Sequence, residues 1–150
     1  GSWAGKQSGK KVITWDGYCL VHQYGFSEED VLTLKNEYPD YKLLVHPECS
    51  PQIIKYADLV ISTGGMVDWV KNNDKAIIAT EIGLTEYLQH IYPEKSLIPL
   101  SPKAICKNMK KTTLENVYNA LKYNQYVISV EPNTAQKARK AIDRMLELSR

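Results

Sequence analysis

The residues best suited to chemistry come in a few short blocks, of which His46-Pro47-Glu48-Cys49 is the central one. Its imidazole and carboxylate stand two positions apart, directly after the apolar run Leu43-Leu44-Val45. Such a pair can hold and pass protons near neutral pH if both groups face one cavity. Pro47 disfavours α conformation at His46, which keeps the turn extended and aims both side chains out of the sheet. The plainer alternative leaves His46 as a strand cap and Glu48 in solvent. Cys19 and Cys106 each fall in a loop beside a strand end, and cluster-binding thiolates can come from such distant loops. Neither belongs to a Cys-x-x-Cys pair, so each taken alone suits a packed, inert thiol better. Cys19-Leu20-Val21-His22 offers half of a zinc site, without a second pair at zinc-ribbon spacing. Ser62-Thr63-Gly64-Gly65 could present hydroxyls and backbone N–H groups to an anion, although it lacks the lysine and spacing of a Walker loop. By itself it also reads as a tight turn with capping hydroxyls, and Thr80-Glu81 reads as a strand-end turn.

These blocks need elements that carry them to one place. The continuous apolar runs Lys42 to Val45, Leu59 to Ile61 and Ala76 to Ala79 have the length of strands buried on both faces. Lys11 to Trp15 is a further β-rich run, ended by Asp16-Gly17. Leu97 to Leu100 reads as a strand whose Pro99 suits a sheet edge or an early end. Helical segments fall between them. Ser27 with Asp30 makes a capping-box-like start for a helix that runs to Pro39, and Pro51 opens a short one carrying Ile53, Ile54 and Ala57. Met66, Val67, Trp69 and Val70 begin a third, and Leu84, Leu88 and Ile91 mark a fourth that stops before Pro93. Alternating strands and helices imply an α/β fold with a parallel sheet, in which ligands bind beyond the carboxyl ends of the strands. Past Ser101-Pro102 the pattern changes. Thr112 or Thr113 can cap a helix with Leu114, Val117, Tyr118 and Leu121; Val127 to Val130 is a short β-like run; and a last helix carries Ala138, Ala141, Ile142, Met145 and Leu148.

Composition narrows the class. With 150 residues and 43% hydrophobic content the chain can fill one ordinary domain core. The formal net charge of +2, with acids and bases mixed throughout, does not make the one-sided basic surface of a nucleic-acid binder. No apolar run approaches the roughly 18 residues of a membrane span, and a cytoplasmic location is expected. Three widely spaced cysteines do not form a disulfide framework, so free thiols or metal ligands remain.

Taken in order, Gly17-Tyr18-Cys19-Leu20-Val21-His22, Val45-His46-Pro47-Glu48-Cys49, Ala57 to Met66, Ala79-Thr80-Glu81-Ile82-Gly83-Leu84 and Cys106-Lys107-Asn108-Met109-Lys110 resemble the quinolinate synthase family, the A protein of NAD (pyridine nucleotide) biosynthesis. The blocks span nearly the whole chain. The resemblance implies one three-layer αβα domain of an enzyme built from three such domains with pseudo-threefold symmetry, around a [4Fe–4S] cluster held by one cysteine from each. It also implies a transferase-type condensation of iminoaspartate with dihydroxyacetone phosphate to quinolinate, with loss of phosphate and water. L-aspartate oxidase or aspartate dehydrogenase would supply the first substrate. Cys19 and Cys106 match the cluster ligands and Cys49 does not. His22, His46 and Glu48 match active-site positions, and Ser62 and Thr63 match the turn that holds a substrate carboxylate or phosphate.

Two departures accompany the match. Gly64 stands where relatives usually carry a second hydroxyl residue, and family enzymes run to about twice this length, as more than one typical domain requires. The expected organisation is therefore the end of a preceding α/β domain over 1–19, a complete one over 20–105, and a carboxyl-terminal segment over 106–150 that packs on a first domain lying outside this chain. Gly1-Ser2-Trp3 resembles the family's own sequence, so a fragment of a longer enzyme, inactive alone and with its third cluster cysteine elsewhere, is expected. The rival classes are a non-catalytic α/β module that binds an anion or small molecule, and a structural zinc or thiol protein.

Overall fold

The computed structural model describes residues 1–149. Four strands form one parallel sheet in the order β2-β1-β3-β4, where β1 is Lys42–Val45, β2 Leu59–Val60, β3 Lys75–Ala79 and β4 Ser96–Pro99. The central strands are buried at every position after their first lysine. Leu43 lies opposite Ile77 and Leu44 opposite Ile78. Because neighbouring residues point to opposite faces, Leu43, Val45, Ile77 and Ala79 join Val31, Ile53 and Leu100 in one apolar cluster. Leu44, Ala76 and Ile78 join Met66, Val70 and Leu88 in another. Helices thus flank the sheet, which explains why its inner strands are apolar without interruption. Pro99 does lie on an edge strand.

The helices follow their local signals. Between α1 (Ser2–Ser8) and β1 come α2 (Leu20–Tyr24) and α3 (Glu28–Glu37). A reciprocal Ser27–Asp30 capping box starts α3. Helix α2 ends at Gly25, whose N–H still donates to the Val21 carbonyl at 2.7 Å, and a Cβ at Gly25 would run into that same oxygen. Pro51 occupies the first turn of α4 (Pro51–Ile54), while Ser62 caps α5 (Thr63–Lys71) and Glu81 caps α6 (Ile82–Ile91). Gly64 and Gly65 therefore belong to the first turn of α5, not to a separate tight turn as their glycines suggested.

Two further expectations fail. Lys11 to Trp15 and Val127 to Val130 are irregular, with Ile13, Trp15, Val127 and Ile128 all largely exposed. β propensity is realised only by pairing and burial, and neither run has a strand partner among the described residues. The chain divides into two compact units, Gly1 to Lys107 and Asn108 onward. The second contains a 3-10 turn at Met109–Lys111, α7 (Leu114–Tyr123) behind a Thr113–Asn116 capping box, and α8 (Pro132–Leu148). It has no buried residue among those described, and Leu114 and Leu121 are more than four-fifths exposed.

Candidate functional site

The sheet's carboxyl end carries the candidate residues. The first residue after β1, His46, continues the ladder by donating its N–H to the Ala79 carbonyl at 3.2 Å. Pro47 turns the chain, the Cys49 N–H returns to the His46 carbonyl at 2.9 Å, and the Glu48 N–H donates to His46 Nδ1 at 3.3 Å. An Nδ1 that accepts a hydrogen bond leaves the ring proton on Nε2, so this contact selects one neutral tautomer of His46. Burial holds the His46 pKa below its ordinary value, helped by the neighbouring His22 and opposed by Glu48. The ring stays uncharged at neutral pH.

Helix α2 brings His22 against this turn. The two imidazoles stack with centroids 4.1 Å apart and planes 7° from parallel. His22 is buried, with Nδ1 3.2 Å from Glu48 Oε2 and Nε2 2.9 Å from Thr80 Oγ1. The Gln23 amide donates to the Glu48 carbonyl at 3.1 Å, which ties α2 to the turn a second time. Glu48 is the exposed member, its side chain 56% accessible against 10% for His22 and 14% for His46. It borders a cleft of about 710 Å³ whose walls include Pro47, Lys55, Tyr18 and Trp15. Neither imidazole lines that cleft. The chemistry on offer is an exposed carboxylate backed by a buried imidazole.

Cys19 immediately precedes α2 in extended conformation, one helical turn before His22. Ligand atoms of Cys19, His22 and Glu48 all lie within 4.8 Å of one another, the one such group among the described residues. Cys106 is outside it, tied instead to Glu81. That buried carboxylate accepts from the Gly83 N–H through Oε2 at 2.8 Å and from the Cys106 N–H through Oε1 at 3.1 Å. The Ile82 N–H, bonded to the Ala104 carbonyl at 2.9 Å, fastens the same loop. Cys49 is 3% exposed, with Sγ 3.6 Å from the Ala79 carbonyl. Burial pushes its thiol up from 9.0 to about 12, so it is held protonated and unreactive at neutral pH. Ser62 and Thr63 are exposed at the end of β2, and the Ser62 hydroxyl accepts from the Gly65 N–H at 3.2 Å. They share the sheet's carboxyl end with His46 without a hydrogen bond to it among the described residues. Thr80 and Glu81, read from sequence as a bland turn, are the contacts that reasoning from local pattern missed. Only their position after a buried strand could have pointed to them.

Residues 1–147 match the sequence family described as quinolinate synthetase A protein. The chain belongs to this family. It is 45% identical over 152 aligned positions to a quinolinate synthase of Caldicellulosiruptor saccharolyticus, covering 99% of this chain and 50% of that protein. A quinolinate synthase of Pyrococcus abyssi is 44% identical over 96% of this chain and 48% of its own length, and one of Methanoregula boonei is 44% identical over 99% and 49%. The chain thus spans about half the length of the curated relatives it matches. Among the described residues no helix is long and apolar enough to cross a membrane.

Proposed function

We propose that this chain is the part of a quinolinate synthase that supplies two cluster cysteines and the proton-transfer groups for condensing iminoaspartate with dihydroxyacetone phosphate. The observation that carries the reading is the convergence of Cys19, His22 and Glu48 at the carboxyl end of the sheet. Residues 20–105 act as one three-layer αβα domain of a pseudo-threefold enzyme; 1–19 close the domain before it, and 106–150 pack on a first domain outside this chain. A third cluster cysteine comes from that outside portion, so the chain alone is inactive.

The donor chemistry fits a [4Fe–4S] group. Cys19 and Cys106 are free, partly exposed thiols on loops at one end of the sheet, whereas Cys49 is buried and held as a thiol. When bound with one iron open to substrate, such a cluster supplies Lewis acidity to a carboxylate, hydroxyl or amine. The remaining work falls to this chain's side chains. Glu48, the member that borders the cleft, takes or gives the substrate proton, and His22 behind it donates its Nδ1–H to that carboxylate and so orients it. His46, kept neutral by burial, offers its Nε2–H as a donor. Ser62 and Thr63 open α5, where free N–H groups and hydroxyls hold a phosphate or carboxylate and so bring the reacting carbons together.

Anaerobic iron and sulfide reconstitution of the full-length enzyme containing this chain, followed by quinolinate assay, tests the reading. Cys19→Ser and Cys106→Ser should lose bound iron, and Cys49→Ser should keep it. His46→Gln and Glu48→Gln should lower quinolinate formation with iron and sulfide near normal, and unimpaired turnover in both would refute their assignment. The Cys19–His22–Glu48 trio also suits a single zinc ion. Stoichiometric zinc with no iron–sulfur absorbance would favour that structural reading.

A further inference from the structure

We propose that Thr80 is a positioning residue for His22, fixing which ring nitrogen carries the proton that faces Glu48. The proposal rests on the reading that His22 takes part in proton transfer. Neutral imidazole has one donor nitrogen and one acceptor nitrogen, so its two contacts must be of opposite kind. Nδ1 faces a Glu48 carboxylate oxygen at 3.2 Å, and a carboxylate only accepts. Nδ1 therefore carries the hydrogen. Nε2 must then accept, and the Thr80 hydroxyl, 2.9 Å away, is the donor that lets it do so.

Thr80 is suited to the task by place and by chemistry. It follows directly on β3, with 4% of its surface exposed, so water does not replace its hydroxyl. The preceding residue, Ala79, accepts the His46 N–H, and thus the end of one buried strand references both stacked rings. Valine has the same shape as threonine but would leave the buried Nε2 without a partner.

The test reads the tautomer directly. Nitrogen-15 spectra of the histidine-labelled chain at about pH 9, above the ordinary imidazole range, with His22 assigned by His46→Gln and His90→Gln, should show a protonated Nδ1 and a bare Nε2. Thr80→Val should lower the ratio of the Nδ1–H to the Nε2–H form roughly fivefold, the worth of one ordinary net hydrogen bond. Thr80→Ser should restore it, an outcome that a merely space-filling role would not produce. A wild-type His22 with its proton on Nε2 overturns the proposal even if the valine variant fails to fold, and so does an unchanged ratio in a folded valine variant. Full-length enzyme carrying His22→Gln with undiminished quinolinate formation would remove the functional reading and leave the tautomer result standing.

Discussion

Cys49 lies within the central block of the site, yet the structure sets it apart from the other two cysteines, and alkylation can measure by how much. Its thiol is raised from 9.0 to about 12, first by burial and further by the charges of Cys19 and Glu48, against a smaller lowering by the backbone at His46. At pH 8 the thiolate fraction is then about one in ten thousand, compared with roughly one in ten at the ordinary value. Since the thiolate is the nucleophile, native Cys49 should react with iodoacetamide about a thousandfold more slowly than in the denatured chain, before any steric shielding. Limited labelling with peptide mass spectrometry follows all three cysteines in one sample. Cys19 and Cys106, both partly exposed, should be modified while Cys49 remains unlabelled. Native labelling of Cys49 at more than about a tenth of its denatured rate would refute the argument, because it would place a reactive thiol where a buried one is claimed.

The lowered pKa of His46 makes stability depend on pH. A folded pKa below 6.5 means that the unfolded chain takes up the proton first, so stability is greatest above 6.5 and falls as pH drops from there through the folded value. Urea midpoints of wild type and His46→Gln, measured from pH 8 to 5, should diverge in that window, and parallel curves would contradict it. Glu81→Ala removes the α6 cap and the anchor of Cys106, and should cost about 1–3 kcal/mol together with faster amide exchange at Gly83 and Cys106. Unchanged exchange at Cys106 would deny the anchoring role. The exposed Leu114, Val117, Tyr118 and Leu121 of α7 should make the isolated chain self-associate, which sedimentation over a concentration range would show. Leu121→Lys should weaken the association; a monomer at every concentration would count against it.

Sequence alone determined the parts of this protein that depend on neighbours along the chain. The apolar runs of β1 and β3, the capping boxes at Ser27 and Thr113, the proline that opens α4 and the edge proline of β4 each follow from local sterics and hydrogen bonding. The ordered blocks also carried the family, since residue types at fixed separations survive without any knowledge of the fold. Tertiary structure decided the rest. His22 and Thr80 are 58 positions apart and Glu81 and Cys106 are 25 apart, so their pairing exists only once β3 is laid beside β1 and its end faces α2. The same assembly buried Cys49, although it stands beside an exposed Glu48 in sequence. It also denied Lys11 to Trp15 and Val127 to Val130 the partners that their residues favour. Local pattern states what a segment can do, but hydrogen-bond pairing and desolvation are settled by which distant groups arrive beside it.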